Sequence, residues 1–319
     1  MIDQITVAAD ALRNADSVVA IGHIGPDGDA LGSMLALAAA ARGAGKAAYA
    51  TFGEPFVVGK QFGFLDTSDL VSPKDVPEAI DVVVVVDTGV PSRLGSALPI
   101  AERAATLIVV DHHLSQEEDF GDIKVIDVTA GAAAQIVYLL IKETGWSVTP
   151  DIATALYTGV VTDTGRFQYQ ATSPEVHRIA AELLEAGVSP PVVGQRIYEQ
   201  APFGYLHVAG EVLRRSELDL EHKVVWSVLY QDDLTQAGLR YEEADGLIDL
   251  VRLAEESDVA CLLRELDDGH FKGSLRSRGR VDVSEIAARF GGGGHHNAAG
   301  FVAEGTPQSI MAAIAGAIG

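Results

Sequence analysis

Residues 82–86 are five consecutive valines, and the next residue is Asp87. A strand with one wet face alternates apolar and polar side chains, so an unbroken β-branched run implies burial on both faces, as in the middle of a parallel sheet. A carboxylate at the tip of such a strand is badly desolvated, and without a cation beside it the group would neutralise. The run therefore constrains fold and chemistry together. It asks for a covered parallel sheet with a charged site at the carboxyl ends of its strands, where open sheets of this kind bind ligands.

The rest of the first 187 residues repeats that texture. Val18–Ile21, Ala47–Phe52, Leu107–Val110 and Lys124–Val128 are predicted strands, and Ala30–Arg42, Ala132–Thr144, Ile152–Val161 and Pro174–Ala186 have helical length and spacing. Strands alternating with helices predict an α/β fold, a mostly parallel sheet with helices on both faces. Ser189-Pro190-Pro191 breaks the pattern, which sets a first domain at 1–187, a connector at 188–205 and a smaller α+β domain at 206–319. In that last part Lys223–Tyr230, Asp258–Leu266 and His270–Ser277 are predicted strands, with helices over Glu243–Glu255 and Ser284–Phe290. Asp267-Asp268-Gly269 predicts a hairpin turn between two of the strands.

Composition narrows the function. The chain has 319 residues, 48% of them hydrophobic, enough for two real cores. With 45 Asp+Glu against 23 Lys+Arg the formal charge is -22, which excludes a sequence-independent grip on long nucleic acid. A short phosphorylated substrate stays compatible, because bound ions and a few Arg can invert the field inside one cleft. Cys261 is the single cysteine and is expected in a core, so there is neither a disulfide framework nor a sulfur-rich zinc site. Met1–Asp16 lacks the order of a secretory signal, and the longest apolar stretch, Ala30–Ala41, falls far short of the ~20 residues of a membrane helix. A cytoplasmic chain that does not enter the membrane is the expectation, and a homodimer is compatible with it.

Three further element ends carry the same chemistry as Asp87. Asp111-His112-His113 follows the run Thr106–Val110, His23 to Asp29 links a strand to a helix, and Asp163 follows the helical Asp151–Val161. Any one of them alone is better explained as a polar turn, and Asp29 alone as a helix cap. Four together are hard to explain as solvated loops. Gly25 and Gly28 allow a tight path through the first loop, where Asp27 and Asp29 can serve two neighbouring ions. His and Asp donors without sulfur favour a hard, octahedral-tolerant ion such as Mn²⁺. Two such ions ~3.5 to 4 Å apart activate water for in-line attack at phosphorus, so phosphate-ester hydrolysis is the natural chemistry.

The second domain offers phosphate-binding features. Arg276-Ser277-Arg278 ends a strand, and guanidinium forks suit phosphate oxygens. Gly291 to Gly294 lead into His295, and consecutive glycines let backbone N–H groups approach an anion. The bland alternatives are surface charge and a flexible hinge.

HIGPDGDALGS at 23–33, DTGVPSRLG at 87–95, DHH at 111–113, TDTGRFQYQATSP at 162–174 and GGGHHNAAG at 292–300 together resemble the DHH/DHHA1 phosphoesterases. Within them the chain is most similar to the bifunctional oligoribonuclease and PAP phosphatase (NrnA-like) type, including actinobacterial members linked to cyclic di-AMP turnover. The motifs span nearly the whole chain in the family's order, with no departure at the metal positions. The resemblance implies a DHH domain, a DHHA1 domain and two Mn²⁺ ions, with Mg²⁺ or Co²⁺ as substitutes. His23, Asp27 and Asp87 would hold one ion, and Asp29, Asp87, His112 and Asp163 the other. His113 would face substrate phosphate, and Asp111 would orient the His pair. Arg93 and Thr164 would support the site, while Arg276, Ser277, Arg278, Gly293, Gly294 and His295 would anchor substrate.

The expected activity is hydrolysis of short oligoribonucleotides (nanoRNA) and linear dinucleotides such as pApA to nucleoside monophosphates. Cyclic di-AMP is a further candidate substrate, and 3'-phosphate removal from pAp a second activity. The alternatives are a pyrophosphatase-like phosphohydrolase and a nucleotide-binding sensor without chemistry. The glycine-histidine motif disfavours the first, and the full set of ligand positions the second.

Overall fold

A computed structural model describes residues 2–114, 119–244 and 246–318, apart from the side chains of Ile2 and His295. The chain divides into two compact units, Met1–Gln200 and Ala201–Gly319.

Unit one is built on five strands: β1 (Ser17–Gly22), β2 (Ala47–Phe52), β3 (Val82–Val86), β4 (Thr106–Asp111) and β5 (Ile123–Ile126). All pairings are parallel, in the order β2-β1-β3-β4-β5. The valine run is the central strand, with Val84 registered against Ala20 on one side and Ile108 on the other. All five valines are buried, as their lack of alternation demands.

Because side chains alternate across a strand, the two faces of the sheet make separate cores. Val82, Val84 and Val86 join the larger one, packed under α1 (Ile2–Asn14), α2 (Gly28–Gly43), α4 (Ala133–Thr144) and α5 (Pro150–Asp163). Val83 and Val85 meet Leu94, Ala97 and Ile100, from a 3-10 stretch over Pro91–Ala97 and the short α3 (Leu98–Glu102). Both faces are covered, but long helices cover only one. The unit closes with α6 (Pro174–Glu185) and α7 (Pro190–Tyr198), so much of the expected connector is helical. α1 is not among the predicted helices. Its Ile5, Ala8, Ala9 and Leu12 are all buried, at the spacing of one helix face.

Unit two holds β6 (Glu217–Asp219), β7 (Val224–Leu229), β8 (Val259–Glu265), β9 (Phe271–Ser277), β10 (Gly293–His295) and β11 (Ala298–Ala303), in the order β10-β11-β9-β8-β7-β6. Only β7 and β8 pair in parallel. One face packs against α8 (Phe203–Arg214), α9 (Gln231–Ala237) and α10 (Leu247–Val251), the other against α11 (Val283–Ala288) and α12 (Pro307–Ile318). Cys261 is fully buried in the second of these cores. The single helix expected over Glu243–Glu255 is instead a 3-10 turn, Tyr241–Ala244, and α10, because Gly246 between them takes a left-handed conformation with φ of 85°. No helix among the described residues is long and apolar enough to cross a membrane.

Candidate metal centre

The strand order changes hand between β1 and β3, and the crevice outside the carboxyl ends at such a switch point is the ligand site of open α/β sheets. β1 runs into His23, β3 into Asp87, and β4 ends on Asp111 ahead of His112. Helix ends bring the other donors. Asp27 caps α2, Asp29 lies in its first turn, and Asp163 is the last residue of α5.

Six of these side chains, all but Asp111, converge as two sets joined by one carboxylate. Donor atoms of His23, Asp27 and Asp87 lie within 4.8 Å of one another, and so do those of Asp29, His112 and Asp163. Asp87 reaches both: Oδ2 is 3.4 Å from His23 Nε2 and Oδ1 is 3.5 Å from His112 Nε2. His112 Nε2 is also 3.3 Å from Asp163 Oδ2 and 3.8 Å from Asp29 Oδ2, while His23 Nε2 is 3.9 Å from Asp27 Oδ2. His113 closes a third set with Asp87 and His112.

The donors fit divalent cations. Nδ1 of His23 is 2.9 Å from the Ile24 carbonyl and Nδ1 of His112 is 3.2 Å from that of Ala130. A ring that donates through Nδ1 keeps its Nε2 lone pair for a metal, and Nε2 is the atom each ring turns toward the carboxylates. Among the described residues, His23 Nε2 and Asp87 Oδ1 are buried without a hydrogen-bond partner. Orphaned polar atoms of that kind are costly, and a cation beside them removes the cost.

Electrostatics point the same way. Burial resists protonation of His112, yet its contacts with Asp87, Asp29 and Asp163 overcome it and push the ring up to about 10. Burial raises Asp163 to about 7, helped by the charges of Asp87 and Asp27. Burial also raises Asp29 well above the usual carboxylate range, with Asp87 and Asp163 adding to it. Asp87 goes the other way: its contacts with His112 and His23 outweigh burial and hold it well below that range. The cluster carries more negative charge than its histidines balance, which is the condition a pair of divalent ions relieves.

Several positioning features were invisible in the sequence. The cap considered for Asp29 belongs to Asp27, whose Oδ1 accepts from the Asp29 and Ala30 N–H groups at 3.0 Å. Asp29 instead caps α4 from a distance, accepting from Ala133 N at 2.6 Å and Ala134 N at 2.8 Å. Asp111 is fully buried, and its Oδ1 holds the His112 and His113 N–H groups and His113 Nδ1, the last at 2.7 Å. Asp111 thus stands against the His113 ring, whereas His112 Nδ1 faces the Ala130 carbonyl.

Glycines set the spacing of the donors. A Cβ on Gly32 would collide with the Ala155 carbonyl, and one on Gly28 with Thr162 Oγ1. On Gly159 it would stand 2.7 Å from Asp29 Oδ1. These residues let α2 and α5 cross closely enough to bring donor atoms of Asp29 and Asp163 within 4.8 Å of each other. Of the two glycines expected to shape the first loop, only Gly25 turns it, at φ of 59°; Gly28 is already helical.

Arg93 lies in the 3-10 stretch, its carbonyl accepts from Ile24 N at 2.8 Å, and its charge opposes protonation of His23. Thr164, the residue after α5, caps it and donates from Oγ1 to the Val160 carbonyl at 2.6 Å. In unit two, Arg276 sits on β9 opposite Ala298 of β11, and Gly293 and Gly294 on β10 pair with Gly300 and Ala299. The glycine run is therefore partly a strand. A Cβ on Gly294 would come within 2.6 Å of Ala299 Cα. Ser277 Oγ accepts from Gly279 N, and Arg278 Nη2 donates to the Arg252 and Ala254 carbonyls at 3.1 and 2.9 Å. The expected role of the His295 side chain lies outside the described residues.

Both parts of the chain match known domains. Residues 17–160 match the N-terminal domain of the DHH family, and residues 221–318 match the DHHA1 domain. The chain is 35% identical over 305 residues to the bifunctional oligoribonuclease and PAP phosphatase NrnA of Thermus thermophilus, spanning 95% of this chain and 89% of that protein. It is 29% identical over 292 residues to the probable bifunctional oligoribonuclease and PAP phosphatase NrnA of Streptococcus mutans, spanning 91% and 90%. An exopolyphosphatase-related protein from Bacteroides fragilis has the same fold, with a TM-score of 0.91 at 25% identity over 100% of this chain and 96% of that one. Both domains in order, and relatives matched over most of their length, establish that the chain belongs to the DHH/DHHA1 family.

Proposed function

We propose that this chain is a metal-dependent phosphoesterase that hydrolyses short oligoribonucleotides and linear dinucleotides such as pApA to nucleoside monophosphates. Removal of the 3'-phosphate of pAp is its second activity, and cyclic di-AMP is a further substrate in this reading. The observation that carries it is the convergence of two His/Asp donor sets on the shared carboxylate of Asp87. The names of the Thermus and Streptococcus relatives support the substrate class.

His23, Asp27 and Asp87 would hold one ion, and Asp29, Asp87, His112 and Asp163 the other. The mixed imidazole and carboxylate donors favour Mn²⁺. When bound, such a pair supplies Lewis acidity that lowers the pKa of water and neutralises charge on the attacking and leaving oxygens. His113, fixed through Nδ1 by Asp111, donates Nε2–H to a phosphoryl oxygen when its ring carries both protons, and a preoriented donor there stabilises the charge that develops during displacement. Residues 1–187 act as the catalytic domain and 206–319 as the substrate-binding domain. There Arg276 presents a guanidinium fork to phosphate.

Product analysis with Mn²⁺ and pAp, pApA, a short oligoribonucleotide and cyclic di-AMP tests the reading, with inorganic pyrophosphate as the contrast. Mononucleotides from pApA and from the oligoribonucleotide are expected; phosphate from pyrophosphate with pApA left intact overturns it. Arg276→Ala is expected to raise KM for pApA several-fold more than KM for a small artificial phosphoester. Equal changes for both would remove the anchoring role.

A further inference from the structure

The turn after Asp163 is not used by the metal centre. Gly165, Arg166 and Phe167 have φ of 56°, 62° and 63°, three successive residues in the left-handed region, two of them with side chains. Single residues visit that region, and a run of them persists only where surrounding contacts impose it. Here the contacts are plain. Arg166 N donates to the Val161 carbonyl at 2.8 Å, and its guanidinium stacks 4.0 Å from the Tyr198 ring centroid. Phe167 stacks on His177, with centroids 5.2 Å apart.

The turn brings Tyr169 back to the carboxyl end of α5. Its N–H donates to the Thr164 carbonyl at 3.0 Å, one hydrogen bond from the residue that follows Asp163. A Cβ built on Gly165 would meet Cζ, Cε1 and Cε2 of Tyr169 before any other atom, so the ring lies face-on over that glycine. Tyr169 nevertheless stays 39% exposed. An aromatic ring clamped flat on backbone, partly open to solvent and tethered to a metal-site helix is the arrangement on which nucleobases stack, whatever their sequence.

We propose that Tyr169, backed by Gly165, is the stacking platform for a nucleobase of the substrate. The assignment rests on the phosphoesterase reading above and makes base contact, in addition to phosphate contact, a source of affinity.

The test compares Tyr169→Ala and Tyr169→Phe with wild type on pApA and on its abasic analogue, with calorimetric binding of both beside the kinetics. Tyr169→Ala is expected to raise KM and Kd for pApA about tenfold more than for the abasic analogue, the scale of one lost base stack. Tyr169→Phe, which keeps the ring, restores most of the pApA affinity. Equal losses on both ligands, or an Ala variant that binds pApA like wild type, overturn the platform. Wild type that binds pApA without cleaving it sinks the phosphoesterase reading while the platform is still judged by Kd. Wild type that does neither overturns both.

Discussion

Asp87→Asn is expected to cut turnover of pApA on the order of a thousandfold or more while the chain stays folded. The substitution keeps shape and, as Asn tolerates the left-handed region, suits the φ of 61° found at Asp87. What it removes is the charge shared by the two donor sets. A bound metal pair contributes several kcal/mol of charge stabilisation, and each 1.36 kcal/mol is tenfold in rate. Ligands that bind only the folded state raise Tm, so wild type is expected to melt higher with Mn²⁺ and the variant to lose most of that gain. Steady-state kinetics, circular dichroism and melts with and without Mn²⁺ check the three parts. A variant with wild-type kcat/KM and an undiminished metal-dependent shift would show that Asp87 does not bridge the centre.

Gly32→Ala is expected to lower both stability and rate. Its Cβ has no room against the Ala155 carbonyl, and backbone cannot step aside as a flexible side chain does. Overpacking of this kind costs about 1–3 kcal/mol. Because α2 carries Asp29 and α5 carries Asp163, relief of the clash separates two donors, and about 1 Å of misplacement can cost roughly a hundredfold in rate. Gly43→Ala on the same helix meets nothing within 4 Å and serves as the control, expected within about 0.5 kcal/mol of wild type. Denaturant melts and kcat on pApA measure both. Gly32→Ala with unaltered stability would mean that the helices can part without consequence.

The strands of unit one were legible because their cause is local. Five valines in a row can be buried on both faces or not at all, and β3 is indeed the central strand. The hairpin at Asp267-Asp268-Gly269 was legible for the same reason: Gly269 supplies φ of 81° between β8 and β9. The helix expected over Glu243–Glu255 failed where one glycine outweighed a periodic pattern. α1 carries its apolar spacing in plain view at Ile5, Ala8, Ala9 and Leu12, a helix signal that the question of a secretory leader does not touch.

From the order of residues alone came the donor types, their places at element ends and the absence of sulfur, since each follows from neighbours in the chain. Only the folded chain decided how the donors divide around Asp87, that Asp27 caps α2 while Asp29 caps α4, and that the Ala130 carbonyl meets the His112 ring. Asp29 and Ala133 are 104 positions apart, and the approach of their helices is governed by what Gly28, Gly32 and Gly159 leave out. Periodicity and capping preferences act over a few residues, whereas a contact of that span exists only once two helices have packed, so it leaves no mark on either segment by itself.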